Sequence, residues 1–480
     1  MPASKRLRKT YRHLSDRAER GFDATRQQVR RLTEDRVCIG ITGLSRSGKT
    51  TFVTSLINQL THYDQANLSG FSPALGGQLL GCRVRPLEDR RLRPFPYSGA
   101  MAALAATPPQ WPQPTEELSG CLLALKLRRG RGPLGALRGA RRTLFVEIRD
   151  YPGEWLLDLP MMGLDYAQWC GQCKELYVRE PRASLLGELG ETLAGLDPSA
   201  PYDEGQAHAL HQRYLTFLRR CKGSEHRLSL IQPGRFLIPG PDGPPLHFLP
   251  LLGQELSSRA LQDADPQSYF KVFESRYQAY ISEHVTPFYQ EFFRPVQRQI
   301  VLVDLVNALN GGPAYVEDLR DALGRISDSF SYGRRSLLAR LFSSRIEKVV
   351  FAATKVDQVV SRDHEPARRL LGSIVSQAIR NAAYEGVTPA VEAIASIRSS
   401  INIQDQGDDA LAGRGPDGNL AYVHPPVPEQ LHTEADYGEF RDWKIPPLQP
   451  PPGIRESGGP AIPHIRMDTV LEMLIGDLCR

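Results

Sequence analysis

Apolar positions along the chain fall into two registers. Short apolar runs rich in β-branched residues predict buried strands, and apolar residues three and four apart predict amphipathic helices. "RVCIGITG" is the first such strand and ends at Gly43; "KTTFVTSLINQL" follows with Phe52, Leu56 and Leu60 at helical spacing. A Gly/Pro-rich stretch then runs to about residue 117, including "TPPQWPQPT", and reads as an ordered loop. "LSGCLLALKLR" (118–128) and "RTLFVEIRD" (142–150) predict two neighbouring strands, joined by a flexible basic linker, "RGRGPLGALRGAR".

The period changes after residue 160. "LLGELGETLAGL", "GQAHALHQRYLTFLRRC" and "YFKVFESRYQAYISEHVTPFYQEFF" predict a mostly helical block. Strand-like runs return at "QIVLVDLV" (299–306) and "EKVVFAATK" (347–355), with a weaker one at "AVEAIASI" (390–397). Helical stretches at 315–330 and 364–383 lie between them. The tail from about 402 to 462 is Gly/Pro/Asp-rich with little period, and "PHIRMDTVLEMLIGDLCR" predicts an amphipathic C-terminal helix with Asp468 as its cap. Strands alternating with helices predict an α/β sheet, the helical block being an insertion between its two halves. The expected organisation is a basic segment 1–36, the two halves at 37–160 and 299–400, the insertion at 161–298, and an extension at 401–480.

Composition narrows the class. The chain has 480 residues, of which 41% are hydrophobic, and a mean hydropathy of −0.34. No apolar run approaches the roughly 18–20 residues of a membrane span. "MPASKRLRKTYRHL" is basic, but neither an apolar core nor a cleavage site follows it, so a cytoplasmic protein is expected. Seven cysteines, an odd number, argue against a disulfide framework. Net charge is only +5 but is crowded into residues 5–36, either a solvated helix or a surface for anionic lipid or an acidic partner. A nucleic-acid partner is not expected, since no recognition motif is present.

Lesser features have ordinary readings. Cys170 and Cys173 form a lone C-x-x-C with no second pair, hence structural cysteines. "HALH" (208–211) reads as a helix surface, and "SYGRRSLLARLF" (331–342) as a partly buried helix, with contact to membrane lipid as its alternative. "EWLLDLPMM" (154–162) reads as core, although Trp155 and Leu156 are placed to relay a nucleotide state into the insertion.

The chemistry begins at Gly43. Gly43 to Thr50, "GLSRSGKT", fits G-x-x-x-x-G-K-[ST] between a strand and a helix. Backbone N–H groups of Ser45, Arg46, Ser47 and Gly48 can face phosphate oxygens, helped by the positive helix end. Lys49 would span the β- and γ-phosphates, with Thr50 ligating Mg²⁺ and Thr51 following on the helix. "DYPG" ends the strand at 150, where Asp150 can hold Mg²⁺ through water and Gly153 can sense the γ-phosphate. "TKVD", Thr354 to Asp357, offers a carboxylate for the paired N1 and N2 donors of guanine, with the Lys355 stem over the base. Adenine lacks that edge, so GTP or GDP is expected rather than ATP. Ser396, in "IASIR", is placed to contact guanine O6. Each piece sits at the C-terminal end of a predicted strand, where ligands collect in open α/β sheets. A switch threonine that closes on Mg²⁺ is best placed at Thr115, with Thr107 second.

Two residues stand out. Glu154 occupies the place where Ras-like proteins keep the glutamine that positions water, and its charge would repel a γ-phosphate. Arg46 stands among small residues of the loop. "GLSRSGKT" resembles the loop of guanylate-binding proteins and their dynamin-like relatives, where that arginine acts as a finger in cis; the alternative is that Arg46 turns outward.

With "GLSRSGKT", "EIRDYPGEWLLDLPM", "IQPGRFLIPG", "RQIVLVDLVNALNGGP", "FAATKVD" and "PHIRMDTVLEMLIGDLCR" together, the chain closely resembles the bacterial YcjX family of P-loop GTPases, associated with phage-shock and envelope-stress genes. The resemblance implies a Ras-like G domain, a mixed and mostly parallel sheet, with a large helical insertion and a C-terminal extension. It implies GTP or GDP with Mg²⁺ as ligands. A stress-related switch that hydrolyses GTP is then expected, cytoplasmic or peripheral at the inner membrane. The alternative is a nucleotide-dependent scaffold with negligible turnover that binds a membrane or an envelope-stress protein. Nucleotide-dependent self-association is compatible with either, and a P-loop kinase is disfavoured by "TKVD".

Overall fold

Strands β1 (Arg36–Gly43), β2 (Leu79–Arg85), β3 (Arg93–Pro94), β4 (Ser119–Arg128), β5 (Arg141–Asp150), β6 (Arg298–Val303), β7 (Lys348–Ala353) and β8 (Thr388–Ala393) form one eight-stranded sheet. The computed structural model describes residues 35–480 apart from 45, 115–116, 130–139, 224, 241–242, 254–255, 257–262, 331–345, 406, 432, 438–439, 441–443, 445 and 457–458. The basic segment before residue 35, most of the 129–141 linker and the 331–342 stretch therefore lie outside the described residues.

The sheet order is β2-β4-β5-β1-β6-β7-β8, with β3 beside β4. β5, β1, β6, β7 and β8 run parallel, while β4 is antiparallel to both β5 and β2. This is the mixed, mostly parallel Ras-like arrangement. Its central strands read as unbroken apolar runs because both faces are covered. Alternate residues feed opposite cores: Ile300 and Leu302 of β6 pack into one, Val301 and Val303 into the other.

On the first face lie helix α1 (Lys49–Thr61), with Phe52, Leu56 and Leu60 buried as expected, and the C-terminal helix. The loop-like stretch before residue 117 also contains β2 and helix α2 (Tyr97–Ala105), whose short length and small residues leave little periodic signal. The second core joins the sheet to the helices between β5 and β6: α3 (Gly153–Leu157), α4 (Tyr166–Tyr177), α5 (Glu204–Lys222) and α6 (Tyr269–Tyr280). Helices α7 (Pro313–Phe330), α8 (His364–Ile374) and α9 (Ser376–Tyr384) cover the same side. Local caps set the block. Asp165 and Gln168 form a reciprocal capping box on α4, and Asp203 accepts from Gln206 N at 2.7 Å on α5.

Cys170 and Cys173 are buried in this core, and burial pushes the Cys173 thiol up to about 12. The surface reading of "HALH" holds for His208 but not for His211. His211 is 3% exposed and stacks on His247 at 4.2 Å, because residues 247–248 return from outside the helix pattern to cover it.

The tail departs from its aperiodic reading. Strands β9 (Ser400–Asp405), β10 (Asp408–Gly415) and β11 (Gly418–Tyr422) form an antiparallel sheet, turned at Gly407 and Gly418, both with positive φ. The last helix, α10 (Met467–Ile475), is not capped by Asp468. Arg466 precedes it in a left-handed conformation, and Asp468 instead accepts from Gly70 N at 2.6 Å, tying the helix to the loop after α1.

Candidate functional site

β1, β5, β6, β7 and β8 all end at the same edge of the sheet, and the residues singled out in the sequence gather there. A cavity of about 1070 Å³ opens on it. Its lining includes Arg46 to Thr51, Glu154, Thr354, Lys355, Asp357 and Ser396.

The loop between β1 and α1 builds one end of the cavity. Gly43 closes β1 so tightly that a Cβ there would stand 2.1 Å from Ser47 Oγ and 3.0 Å from Leu302 O. Gly48 takes φ 83°, ψ 28° ahead of α1 and leaves the helix start without a side-chain cap. An uncapped helix start of this kind, with its positive end towards the cavity, suits an anion site. Lys49 reaches back over the loop, Nζ donating to Gly43 O at 3.0 Å. Ser45 lies outside the described residues. Arg46 is exposed at φ 63°, a left-handed turn, so its bulk lies on the cavity rim rather than inside the loop. It has no hydrogen bond or ion pair among the described residues.

Asp150 ends β5 beside this loop. It is 1% exposed, and neither carboxylate oxygen accepts a well-formed hydrogen bond among the described residues. Burial pushes its pKa up to about 6, partly offset by the Lys49 charge and the nearby Ser119 hydroxyl. Thr42, Ser47 and Ser119 also present buried hydroxyls without partners in hydrogen-bonding geometry. Such a cluster of unsatisfied buried oxygens is costly unless a ligand fills it. Its donor set, hard oxygens with one carboxylate, suits Mg²⁺ and phosphate.

Gly153 packs directly on the loop, since a Cβ there would meet Gly43 O at 2.6 Å. Beyond it, α3 is held by the helical block. Trp155 lies under the Arg235 guanidinium, 3.8 Å from ring to carbon. Asp158 accepts from Gly234 N at 2.9 Å and from Tyr280 Oη at 2.5 Å. Glu154 is 4% exposed and pairs with Lys222 Nζ of α5 at 2.7 Å. Burial would raise its pKa, but Lys222 and Lys49 outweigh that and hold it below the usual carboxylate range.

The opposite end of the cavity is built on β7. Thr354 is buried and donates its N–H to Val303 O at 2.8 Å. Lys355, at φ 62°, bonds Asp304 Oδ2 through Nζ at 2.6 Å, which lays its stem along the cavity. Asp357 is 5% exposed, and Ser399 donates to its Oδ2 from both hydroxyl and N–H. Burial raises the Asp357 pKa, and the Ser399 donors partly offset the shift. Ser396 is buried on the same wall. The extension contributes Pro447, Leu448 and Gln449, Leu448 O accepting from Trp111 Nε1 at 2.8 Å.

Thr115 lies outside the described residues, between cavity-lining Pro114 and Glu117. Thr107 is exposed and is not among the lining residues.

The model of the YcjX-like family, DUF463, matches residues 37–479. The chain belongs to the YcjX-like family. A relative named Ras-like GTPase YcjX from Escherichia coli (strain K12) is 36% identical over 469 residues, 94% of this chain and 98% of its own length. Another of the same name, from Shewanella oneidensis (strain MR-1), is 35% identical over 470 residues, 94% and 96% of the two chains. In this YcjX-like chain, sequence reasoning missed Ser119, Ser399, Lys222 and the 447–449 segment. Ser399 follows "IASIR" closely enough to have been found. Lys222 is one of several cations in a helix end, and nothing local marks it.

Proposed function

We propose that the chain is a GTPase that binds GTP with Mg²⁺ in this cavity, hydrolyses it to GDP and phosphate, and acts as a stress-related switch. The observation that carries this reading is the opening of the 43–50 loop and Asp357 onto one cavity, with the buried Asp150 carboxylate at the end of the neighbouring strand β5. The relatives' name supports guanine nucleotide as the ligand.

Loop N–H groups and Lys49 would bind the β- and γ-phosphates. Thr50 would hold Mg²⁺ with Asp150 behind it, the ion neutralising charge on the phosphate oxygens. Asp357 would accept from N1 and N2 of guanine, beside Lys355 and Ser396. Arg46, exposed on the rim, would turn towards the γ-phosphate, the role of a finger worth roughly 10³–10⁵-fold. Gly153 joins the phosphate loop to α3, and α3 to the helical block, so a shift at Gly153 would be felt at Trp155 and Asp158.

Among the described residues no helix is long and apolar enough to cross a membrane. A cytoplasmic protein, peripheral at the inner membrane through anionic lipid or an envelope-stress protein, fits that; nucleotide-dependent self-association belongs to the same proposal. The scaffold reading is favoured by one observation, the acidic Glu154 in the cavity wall. Calorimetric titration with GDP and ADP, together with phosphate release from GTP, tests the proposal. GDP binding lost in Lys49→Ala, with weak or no ADP binding, is expected; equal affinity for ADP would sink it.

A further inference from the structure

Glu154 and Lys222 meet across the boundary between the sheet and the helical block. Lys222 ends α5, a helix whose last turn also carries Arg219 and Arg220. Cations there ordinarily complement the helix dipole and do no more. Arg220 fits that role, donating to Leu185 O at 3.3 Å within the block. Lys222 instead turns to the cavity, its Nζ 2.7 Å from Glu154 Oε1, and both residues line the wall facing Lys49 and Thr50.

We propose that Lys222 is a positioning residue for hydrolysis: its ion pair holds the Glu154 carboxylate in the cavity wall, and Glu154, where Ras-like proteins carry glutamine, orients the attacking water. The inference rests on the GTPase reading above. Three observations carry it. Glu154 is fixed at its backbone, because Gly234 of the helical block approaches so closely that a Cβ on Gly234 would stand 2.5 Å from Glu154 O. A buried carboxylate beside a triphosphate repels it strongly unless a cation accompanies it, and Lys222 makes the pair neutral. Finally, the cation arrives from the helical block, so the block's seating on α3 determines whether the pair forms.

In the step itself, the water oxygen forms a bond to the γ-phosphorus. The bond to the β–γ bridging oxygen breaks and leaves its electron pair on GDP. The water's proton passes to Glu154 and then to the departing phosphate or solvent. Lys222 touches neither the water nor the phosphate; it fixes the group that does.

The test compares single-turnover GTP hydrolysis and GDP affinity for wild type, Lys222→Met, Lys222→Gln, Lys222→Arg, Glu154→Gln and the Lys222→Met/Glu154→Gln double variant, each checked for folding by its thermal melt. Lys222→Met and Lys222→Gln should slow hydrolysis about 10- to 10²-fold, within what a positioned acid–base group contributes, and leave GDP affinity nearly unchanged. Lys222→Arg should recover most of the rate. In the Glu154→Gln background the Lys222 change should add almost nothing, as expected for residues acting as one unit. Full activity in Lys222→Met or Lys222→Gln, or losses that multiply in the double variant, overturns the role of Lys222 alone. A wild type that binds GDP but never cleaves GTP overturns the hydrolysis reading with it.

Discussion

Ser399 donates both its hydroxyl and its backbone N–H, the latter at 3.0 Å, to one oxygen of Asp357. The carboxylate is buried in a wall that would otherwise favour its neutral form. The two donors partly offset that effect and aim the carboxylate, the arrangement that recognition of the N1 and N2 edge of guanine would need. Ser400 adds a third tie, its hydroxyl donating to Asp357 O.

Ser399→Ala removes one hydrogen bond to a charged group, worth about 1.5–3 kcal/mol. GDP affinity should fall about tenfold or more while the protein stays folded. Asp357→Asn should cost more and erode the preference for GDP over ADP. Fluorescent-nucleotide titrations measure both, and an unchanged GDP-to-ADP ratio in Asp357→Asn would remove this residue from base recognition.

Gly153 offers a second handle. A methyl there meets the Gly43 carbonyl, backbone against backbone, with no flexible side chain to yield. Gly153→Ala should destabilise the fold by about 1–3 kcal/mol, as overpacking does, and should separate the phosphate loop from α3. Urea unfolding gives the first quantity. Tryptophan emission with GTP or GDP bound reports the second through buried Trp155.

His211 sets an acid limit on the helical block. Burial, reinforced by His247, His208 and Arg219, pushes its pKa down to about 3, against the Phe248 backbone contact. The folded state keeps it neutral, whereas the unfolded chain takes a proton below about 6.5. Its contribution to stability is therefore complete above about 6.5 and is lost as pH falls towards 3, amounting to about 2 kcal/mol by pH 5. His211→Gln should melt with a shallower pH dependence than wild type between pH 7 and 5. Asp158, held near 7, acts in the opposite sense over the same range, but it is present in both proteins and cancels in the comparison.

The 43–50 loop and "TKVD" were legible as candidates because each is a short stretch of fixed spacing at the end of a strand, and the structure brings both to one cavity. The strands were legible because burial on both faces leaves apolar runs. The β9–β11 sheet was not, since strands so largely exposed and turned at glycines carry no apolar run. His211 was misread because its cover comes from residue 247, across the block. The same holds for Lys222, which becomes informative only when α5 is folded against α3. Long-range pairs of this kind leave no mark on local sequence.

Single-turnover hydrolysis of GTP and of ATP with Mg²⁺, in wild type and Arg46→Ala, tests the central claim most directly. Cleavage of GTP alone is predicted, with Arg46→Ala losing about 10²-fold or more in rate while still binding nucleotide. Equal cleavage of ATP, or no cleavage of GTP by wild type, would contradict it.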